Sequence, residues 1–130
     1  MSKENISEIT ENKLRTIVKA LDSKRAEDIQ VIGIGDLTIL ADYFVIANGS
    51  SGVQTKALAE EVEFRLSQMG IEPHHTEGYG PNNWIVLDYR DIVVHVFFKD
   101  TRDQYKLERL WSDGTPVDVS RFLDSGDQGE

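Results

Sequence analysis

The sequence predicts an α/β fold: a single domain whose mixed sheet of about five strands is flanked by helices. Three observations predict it. Apolar residues recur at helical spacing in two separate stretches. Runs of β-branched and aromatic residues stand before, between and after those stretches. One helix falls between two groups of strands, so the order α-β-β-α-β-β-β-α favours a mixed sheet with helices on its faces.

The first half of the chain supplies two helices and two strands. Helical spacing of Ile, Leu and Val predicts a helix over residues 7–21, and residues 29–34 are predicted to form a strand. Residues 43–47 form a near-continuous apolar strand, which is typical of the centre of a covered sheet. A second helix follows, capped by Ser50 or Ser51. Its predicted buried stripe comprises Val53, Ala57, Leu58, Val62, Leu66 and Met69.

The second half begins with an edge strand and continues with a hairpin. Gly70 suits the left-handed position after the second helix. Residues 71–76 are predicted to form a short edge strand, because Pro73 argues against a central position. Residues 84–89 and 92–98 are β-branched and aromatic runs separated by a polar dipeptide, which predicts a hairpin.

A two-residue turn places Trp84 opposite Phe97 in this hairpin, and side chains alternate between the two faces of a sheet. One face is predicted to be core: Ile85, Leu87, Tyr89, Ile92, Val94, Val96 and Phe98. The other face combines an aromatic pair with a carboxylate and an imidazole: Trp84, Val86, Asp88, Val93, His95 and Phe97. That combination indicates either a second, partly polar packing layer or a docking surface.

A last helix is predicted over about residues 101–111, capped by Asp100. One of its faces is most simply core: Leu107, Leu110 and Trp111. The opposite face is typical of interface anchors or of a solvated surface: Arg102, Tyr105 and Arg109. The domain is predicted to span residues 1–114. Residues 115–130 are acidic with few apolar anchors, which predicts a mobile tail.

Composition narrows the function classes. The chain has 130 residues, enough for one domain, and its lack of cysteine excludes disulfides. No apolar run approaches the roughly 20 residues that span a bilayer, and the N-terminus does not resemble a secretory signal, so a cytoplasmic protein is expected. The net charge of −9 disfavours direct nucleic-acid binding. It serves solubility, and it would also attract a basic protein.

Two groups of residues could carry chemistry. The turn Gly49-Ser50-Ser51 between a strand and a helix could cradle a phosphate. No Asp-x-Asp pair follows it, and Asp88 is the nearest acid inside a strand. The alternative function is therefore a nucleotidyltransferase-like, nucleotide-binding enzyme that uses Gly49, Ser50 and Asp88 with magnesium. The three histidines, His74, His75 and His95, do not form an evident metal site or catalytic triad.

Three blocks of the chain resemble the ribosomal silencing factor (RsfS, or Iojap) family. The first is residues 24–29. The second is residues 41–51, which include the Gly-x-Ser turn. The resemblance covers about residues 6–111, and it departs from the family at Gly33, where Asp is more frequent. The third block follows the family pattern in order: Glu77-Gly78, Trp84, Asp88, Val94-His95-Val96-Phe97, Arg102, Tyr105, Leu107-Glu108 and Leu110-Trp111.

The resemblance implies a fold related to nucleotidyltransferases but without their catalytic acids, and hence a protein that is not an enzyme and needs no cofactor. It implies binding to large-subunit ribosomal protein fourteen at the face where the small subunit joins. The bound factor would sterically block subunit joining and repress translation under nutrient limitation. The resemblance also implies a link to late large-subunit assembly, and it permits a homodimer.

These implications turn the hairpin and the last helix into a predicted partner-binding site. Trp84 and Phe97 are expected to supply apolar contact, and Arg102 and Tyr105 polar anchoring. Asp88 and His95 are expected to orient neighbouring groups or to pair across the contact. Trp111 is assigned either to the core or to the interface. No catalytic residue, metal ligand or membrane contact is expected.

Overall fold

The computed structural model describes residues 6–39, 41–105 and 112–123. The predicted α/β class is confirmed: a single domain with one mixed sheet and helices packed against it. The sheet has six described strands, one more than the five expected. The elements are α1 Glu8–Ser23, β1 Glu27–Gly33, β2 Tyr43–Gly49, α2 Gly52–Ser67, β3 His75–Glu77, β4 Trp84–Asp88, β5 Ile92–Phe98, α3 Lys99–Tyr105 and β6 Thr115–Val117.

The strand order is β3-β4-β5-β2-β1-β6. Among the described strands, β2 and β5 are parallel neighbours, and the other four pairs are antiparallel. The predicted central place of β2 is confirmed, because it lies between β5 and β1 and six of its seven residues are buried. The predicted edge strand is also confirmed, although it is shorter than expected and consists of His75–Glu77.

Serine side chains begin both long helices. The hydroxyl of Ser7 accepts a hydrogen bond from the backbone N–H of Thr10 at 3.2 Å. Ser51 does the same for Gln54 at 3.1 Å, so Ser51 rather than Ser50 caps α2. After α2, Gly70 has a φ of 78°, the left-handed conformation expected of a glycine at this position.

Helices α1 and α2 cover one face of the sheet, where the larger core lies. The predicted stripe of α2 is partly wrong, because Val53 is 82% exposed and Met69 is 44% exposed. A Cβ at Gly49 would sit 2.9 Å from Oγ1 of Thr55, so glycine is what allows the end of β2 to approach the first turn of α2 this closely. The buried residues of α2 are Thr55, Leu58, Ala59, Val62 and Leu66.

The two predicted faces of the hairpin are confirmed except at Phe98, which is only partly buried and lies outside the larger core cluster. Trp84 lies opposite Phe97, and the core face from Ile85 to Val96 packs on the helices. The other face belongs to a second, smaller core cluster that includes Phe44 of β2. Phe97 is fully buried within it, whereas Trp84 is partly buried. This face is therefore a packing layer, and Trp84 lies at its margin.

Residues 115–123 were expected to belong to a mobile tail, but in the structure they pack against the domain. β6 pairs with the outer edge of β1, and Val31 lies opposite Val117. Phe122 is fully buried against the larger core. Val117 and Phe122, with the partly buried Val119 and Leu123, anchor residues 115–123 to the larger core. Residues 124–130 of the predicted tail lie outside the described residues.

An ion pair and two hydrogen bonds join this C-terminal segment to α1. Glu11 and Arg121 approach to 2.6 Å, and Arg15 donates to the backbone carbonyls of Arg121 and Phe122. Both guanidinium groups also lie within 6 Å of the Phe122 ring, at 5.9 and 5.5 Å. None of the helices described here is long and apolar enough to cross a membrane.

Candidate functional site

The candidate site is the aromatic cluster on the second face of the hairpin, which we define as Phe44, Trp84, His95 and Phe97. The antiparallel register places Trp84 directly across from Phe97. Their rings stack with centroids 5.0 Å apart and planes inclined by 26°. Offset stacking of this kind stabilises aromatic pairs beyond the area that they bury. The fully buried Phe97 thus forms a fixed platform beneath the partly exposed Trp84.

His95 binds the edge of the Trp84 ring that carries Nε1. The indole Nε1–H of Trp84 donates to Nδ1 of His95 at 3.1 Å. Phe44 packs edge-on against the imidazole, with ring centroids 4.5 Å apart. Because Nδ1 accepts, the proton of the neutral imidazole is on Nε2. Within the described residues, Nε2 makes no hydrogen bond.

Burial determines the protonation state of His95. The side chain is 6% exposed, and its burial lowers the pKa to about 4. Desolvation disfavours the charged form of a base, so the imidazole is neutral at pH 7. A neutral, hydrogen-bonded ring matches the expected role of orienting a neighbour. It does not match an ion pair across a partner contact.

Arg102 differs from the expectation of an exposed anchor. It is 4% exposed, and its Nη1 donates to the backbone carbonyl of Asp28 at 2.7 Å and to Oδ1 of Asn48. Asp28 lies in an irregularity of β1 and has a φ of 53°. Its carbonyl therefore turns toward the guanidinium instead of continuing the strand ladder. Arg102 fastens α3 to the ends of β1 and β2.

Asp88 lies apart from the aromatic cluster. Its Oδ1 accepts a hydrogen bond from the backbone N–H of Arg90 at 2.7 Å, in a turn where Arg90 has a φ of 75°. Asp88 therefore stabilises the hairpin turn. Trp84 is at the opposite end of β4, roughly 13 Å away at the usual rise of a strand.

The two remaining predicted contact residues are on or after α3. Tyr105 is the last residue of the described helix, and its side chain is outside the described part of the structure. Trp111 lies outside the described residues altogether, together with Leu107, Arg109 and Leu110. The choice between core and interface for Trp111 therefore stays open.

Sequence reasoning missed two members of this region, Phe44 and Asn48, both on β2. Asn48 is 6% exposed and accepts from Arg102. A signal for it was present, because a polar residue that continues an apolar central strand must find a partner. Phe44 carried no such signal, since its contact with His95 depends on the parallel pairing of β2 with β5.

In the turn considered for phosphate binding, the donors of Ser50 already bond to a side chain of α2. The backbone N–H and the hydroxyl of Ser50 both donate to Oε1 of Gln54, at 2.6 and 2.8 Å. Gly49 pairs with Phe98, whereas Asp88 pairs with Val93 at the other end of β5. The turn and this carboxylate are thus on the order of 16 Å apart along the sheet. The described residues also contain no group of three or more His, Asp or Glu side chains arranged to hold a metal.

Comparison with known proteins decides the family. The family model described as ribosomal silencing factor during starvation matches residues 7–129. The chain belongs to this family. It is 40% identical over 106 residues to the ribosomal silencing factor RsfS of Bacillus subtilis (strain 168), covering 82% of this chain and 90% of that relative.

The family match extends to the fold and to a ribosome-related relative in animals. A crystal structure of a protein from Chromobacterium violaceum aligns with a TM-score of 0.75 and 33% identity, over 82% of this chain and 88% of that one. A mouse relative is 29% identical over 99 residues, which are 74% of this chain and 43% of the relative. That protein is named mitochondrial assembly of ribosomal large subunit protein 1.

Proposed function

We propose that this protein is a non-enzymatic repressor of translation. It binds the large ribosomal subunit through ribosomal protein fourteen at the intersubunit face, and its bulk then blocks joining of the small subunit when nutrients are limiting. Membership of the silencing-factor family supports the ribosomal role. The partner and the steric mechanism are the proposal. Such a role places the protein in the cytoplasm with the ribosomes.

The proposed contact site is supported by the fixed orientation of the partly exposed Trp84 ring. Its ring lies at the margin of the smaller core, stacked on Phe97 and hydrogen-bonded to His95. A partly exposed aromatic ring that is already fixed loses little conformational freedom when a partner covers it. Tryptophan is also among the residues most enriched at energetic centres of interfaces. Trp84 is therefore the proposed central contact.

The other predicted residues divide into two groups by burial. Phe97, His95 and Arg102 are buried, so in this proposal they hold the contact surface in shape without touching the partner. Asp88 is partly exposed at the hairpin turn and stays a proposed contact. Tyr105 and Trp111 also stay proposed contacts, although the side chain of Tyr105 and all of Trp111 lie outside the described part of the structure. The net charge of −9 favours approach to a basic ribosomal protein and predicts that binding weakens as salt is raised.

The test is co-sedimentation with purified large subunits, small subunits and joined ribosomes. The protein is expected to travel with large subunits only and to reduce the joined fraction as it is added. Trp84→Ala should weaken binding about 30-fold, which corresponds to about 2 kcal/mol. Trp84→Phe keeps a stackable ring and should lose less.

Val53→Ala is the matched control, since it removes an 82% exposed apolar side chain from α2 on the opposite side of the sheet. It should bind as the unchanged protein does. Normal binding by a folded Trp84→Ala variant would exclude Trp84 as the contact. Absence of binding to every particle would remove the ribosomal proposal itself.

The mouse relative's name supports a second candidate role in large-subunit assembly. In that role the protein would bind precursor particles without reducing subunit joining. A homodimer through the aromatic cluster is proposed as a competitor of either role, because it would cover Trp84. Sedimentation of the protein alone and with large subunits would separate these cases.

A further inference from the structure

A groove of about 570 Å³ lies on the outer side of α2, next to the loop between β3 and β4. Two aromatic residues line it: Phe64, which is 59% exposed, and Tyr79, which packs partly against the larger core. Since α2 covers the face of the sheet opposite the aromatic cluster, this groove is separate from the Trp84 surface. The residues that line it are Lys56, Glu60, Glu63, Phe64, Ser67, Glu72, Tyr79 and Gly80.

The wall that α2 contributes is a continuous stripe of the helix. Positions 56, 60, 63, 64 and 67 are spaced by three or four residues and therefore share one side. The buried stripe of α2 occupies a different side, so the groove residues are not needed for packing against the sheet. The exposed ring of Phe64 in this stripe offers an aromatic face on which a ligand could stack.

Tyr79 fixes the opposite wall of the groove. Its hydroxyl donates to Oε2 of Glu63 at 2.6 Å. Burial and the neighbouring carboxylate raise the pKa of this phenol, so it stays a neutral donor. The loop is thereby joined to α2, and the groove is formed before any ligand arrives.

The groove is strongly acidic at its rim. It carries the carboxylates of Glu60, Glu63 and Glu72 against the single ammonium of Lys56. Lys56 is 3.9 Å from Glu60 and 51% exposed, so it neutralises little. Glu72 has no hydrogen-bond or ion-pair partner among the described residues. The local balance of carboxylates over ammonium groups favours a cationic ligand.

We propose that this groove is a second docking surface, which takes an arginine-bearing segment of a basic protein. The aliphatic stem of an arginine would cover Phe64, and its guanidinium would reach Glu60 or Glu72. Guanidinium groups pair with carboxylates through two parallel hydrogen bonds and also stack on aromatic rings. Phosphate-rich ligands are disfavoured by the same carboxylates.

This surface does not depend on the proposed ribosomal contact, because it lies on the other side of the sheet. The protein could therefore hold one partner at Trp84 and a second, basic polypeptide at α2 simultaneously. The partner is defined here by its chemistry: an accessible arginine next to an apolar residue, in a chain segment without acidic neighbours.

The test uses a blocked Gly-Arg-Leu-Arg-Gly peptide, titrated to about 1 mM into the ¹⁵N-labelled protein. Amide resonances of α2 and of the Tyr79–Gly80 loop are expected to shift, and those of the hairpin are not. The same peptide with citrulline in place of both arginines has the same shape without charge, and it should bind at least tenfold more weakly. Raising the salt concentration from about 0.05 M to about 0.5 M should also weaken binding.

Variants distinguish binding at this groove from a general attraction of the peptide to the negative charge of the protein. Phe64→Ala and the double change Glu60→Gln with Glu72→Gln should each weaken binding at least threefold. Asp22→Asn, which removes an exposed acid of α1 outside the groove, should leave peptide binding unchanged.

Several results would overturn the proposal. They are the absence of shifts at the highest peptide concentration, equal binding of the citrulline peptide, or shifts centred on the hairpin. Concentration-dependent shifts of the α2 amides without peptide would instead assign the groove to a second copy of the chain.

Discussion

The indole nitrogen of Trp84 donates a hydrogen bond to Nδ1 of His95 at 3.1 Å. This one bond sets the orientation of the Trp84 ring and places the imidazole proton on Nε2. It also explains why a buried histidine sits on a central strand: an apolar residue there would leave the indole N–H unpaired.

Removing the imidazole should lower stability and free the Trp84 ring. We expect His95→Ala to reduce the free energy of unfolding by about 3 kcal/mol, because it leaves the indole N–H unsatisfied and opens a cavity. His95→Asn places an acceptor oxygen near the position of Nδ1 and should recover part of the loss. Urea denaturation gives the energies, and the indole N–H resonance of Trp84 reports the bond. Equal losses in both variants would show that the bond contributes little.

Stability should fall with acid in a way that depends on His95. The pKa of His95 is lowered to about 4 in the folded state, whereas an unfolded histidine titrates near 6.5. Between these two pKa values the unfolded chain binds more protons than the folded protein. The contribution of the neutral His95 to the free energy of unfolding is therefore complete above pH 6.5 and is lost as the pH falls toward 4. The loss amounts to about 3 kcal/mol.

Comparison with His95→Asn isolates this effect from the titration of the carboxylates, which both proteins share. The difference in unfolding free energy between the two proteins should narrow as the pH is lowered from about 7.5 to about 4.5. A difference that stays constant over this range would contradict the buried, neutral imidazole.

Arg102 should contribute to the stability of the fold, so its replacement should lower the free energy of unfolding. Arg102→Ala leaves the buried Oδ1 of Asn48 and the Asp28 carbonyl without their donor, and should cost about 2–4 kcal/mol. Arg102→Lys offers one ammonium in place of the guanidinium and should recover only part of that. Lys56→Ala, an exposed cation, should change stability by less than about 0.5 kcal/mol. An Arg102→Ala variant of full stability that no longer binds large subunits would restore Arg102 as a contact residue.

The C-terminal segment should matter for folding. Phe122→Ala is expected to cost about 3–5 kcal/mol, since it empties a fully buried site between two guanidinium groups and the core. Ile9→Ala removes an apolar side chain of α1 that is 72% exposed and should be nearly neutral. Thermal unfolding of the two variants measures the contrast. A stable Phe122→Ala protein would support the original expectation of a tail that does not pack.

The hairpin could be predicted from the sequence because its signals are local. Alternation with a period of two fixes which residues share a face, and the two-residue turn fixes that Trp84 lies opposite Phe97. The candidate site around His95 could be predicted only in part. Its face was predictable, but the hydrogen bond to Trp84 and the contact with Phe44 arise from neighbouring strands.

The environments of Arg102, Val117 and Phe122 were not predicted, because each depends on parts of the chain that are distant in sequence. A helical wheel places Arg102 on an open face, and only the irregular conformation at Asp28 and the end of β2 supply its acceptors. Val117 and Phe122 stand in a short acidic segment whose other apolar residues are Val119 and Leu123, too few for a helical or strand periodicity to mark them. Their burial depends on an unpaired edge of β1 that the local sequence does not reveal.

The pairing of β1 with β6 makes completion of the sheet a late event in synthesis. β1 is made near the beginning of the described chain, and the strand that covers its outer edge follows all the other described strands. Until that strand has left the ribosome, β1 is an edge with exposed backbone donors and acceptors, which is an aggregation hazard. Prompt release of the nascent chain, or shielding of the β1 edge, would limit this hazard. Stalled synthesis before Phe122 would leave an incomplete and adhesive domain.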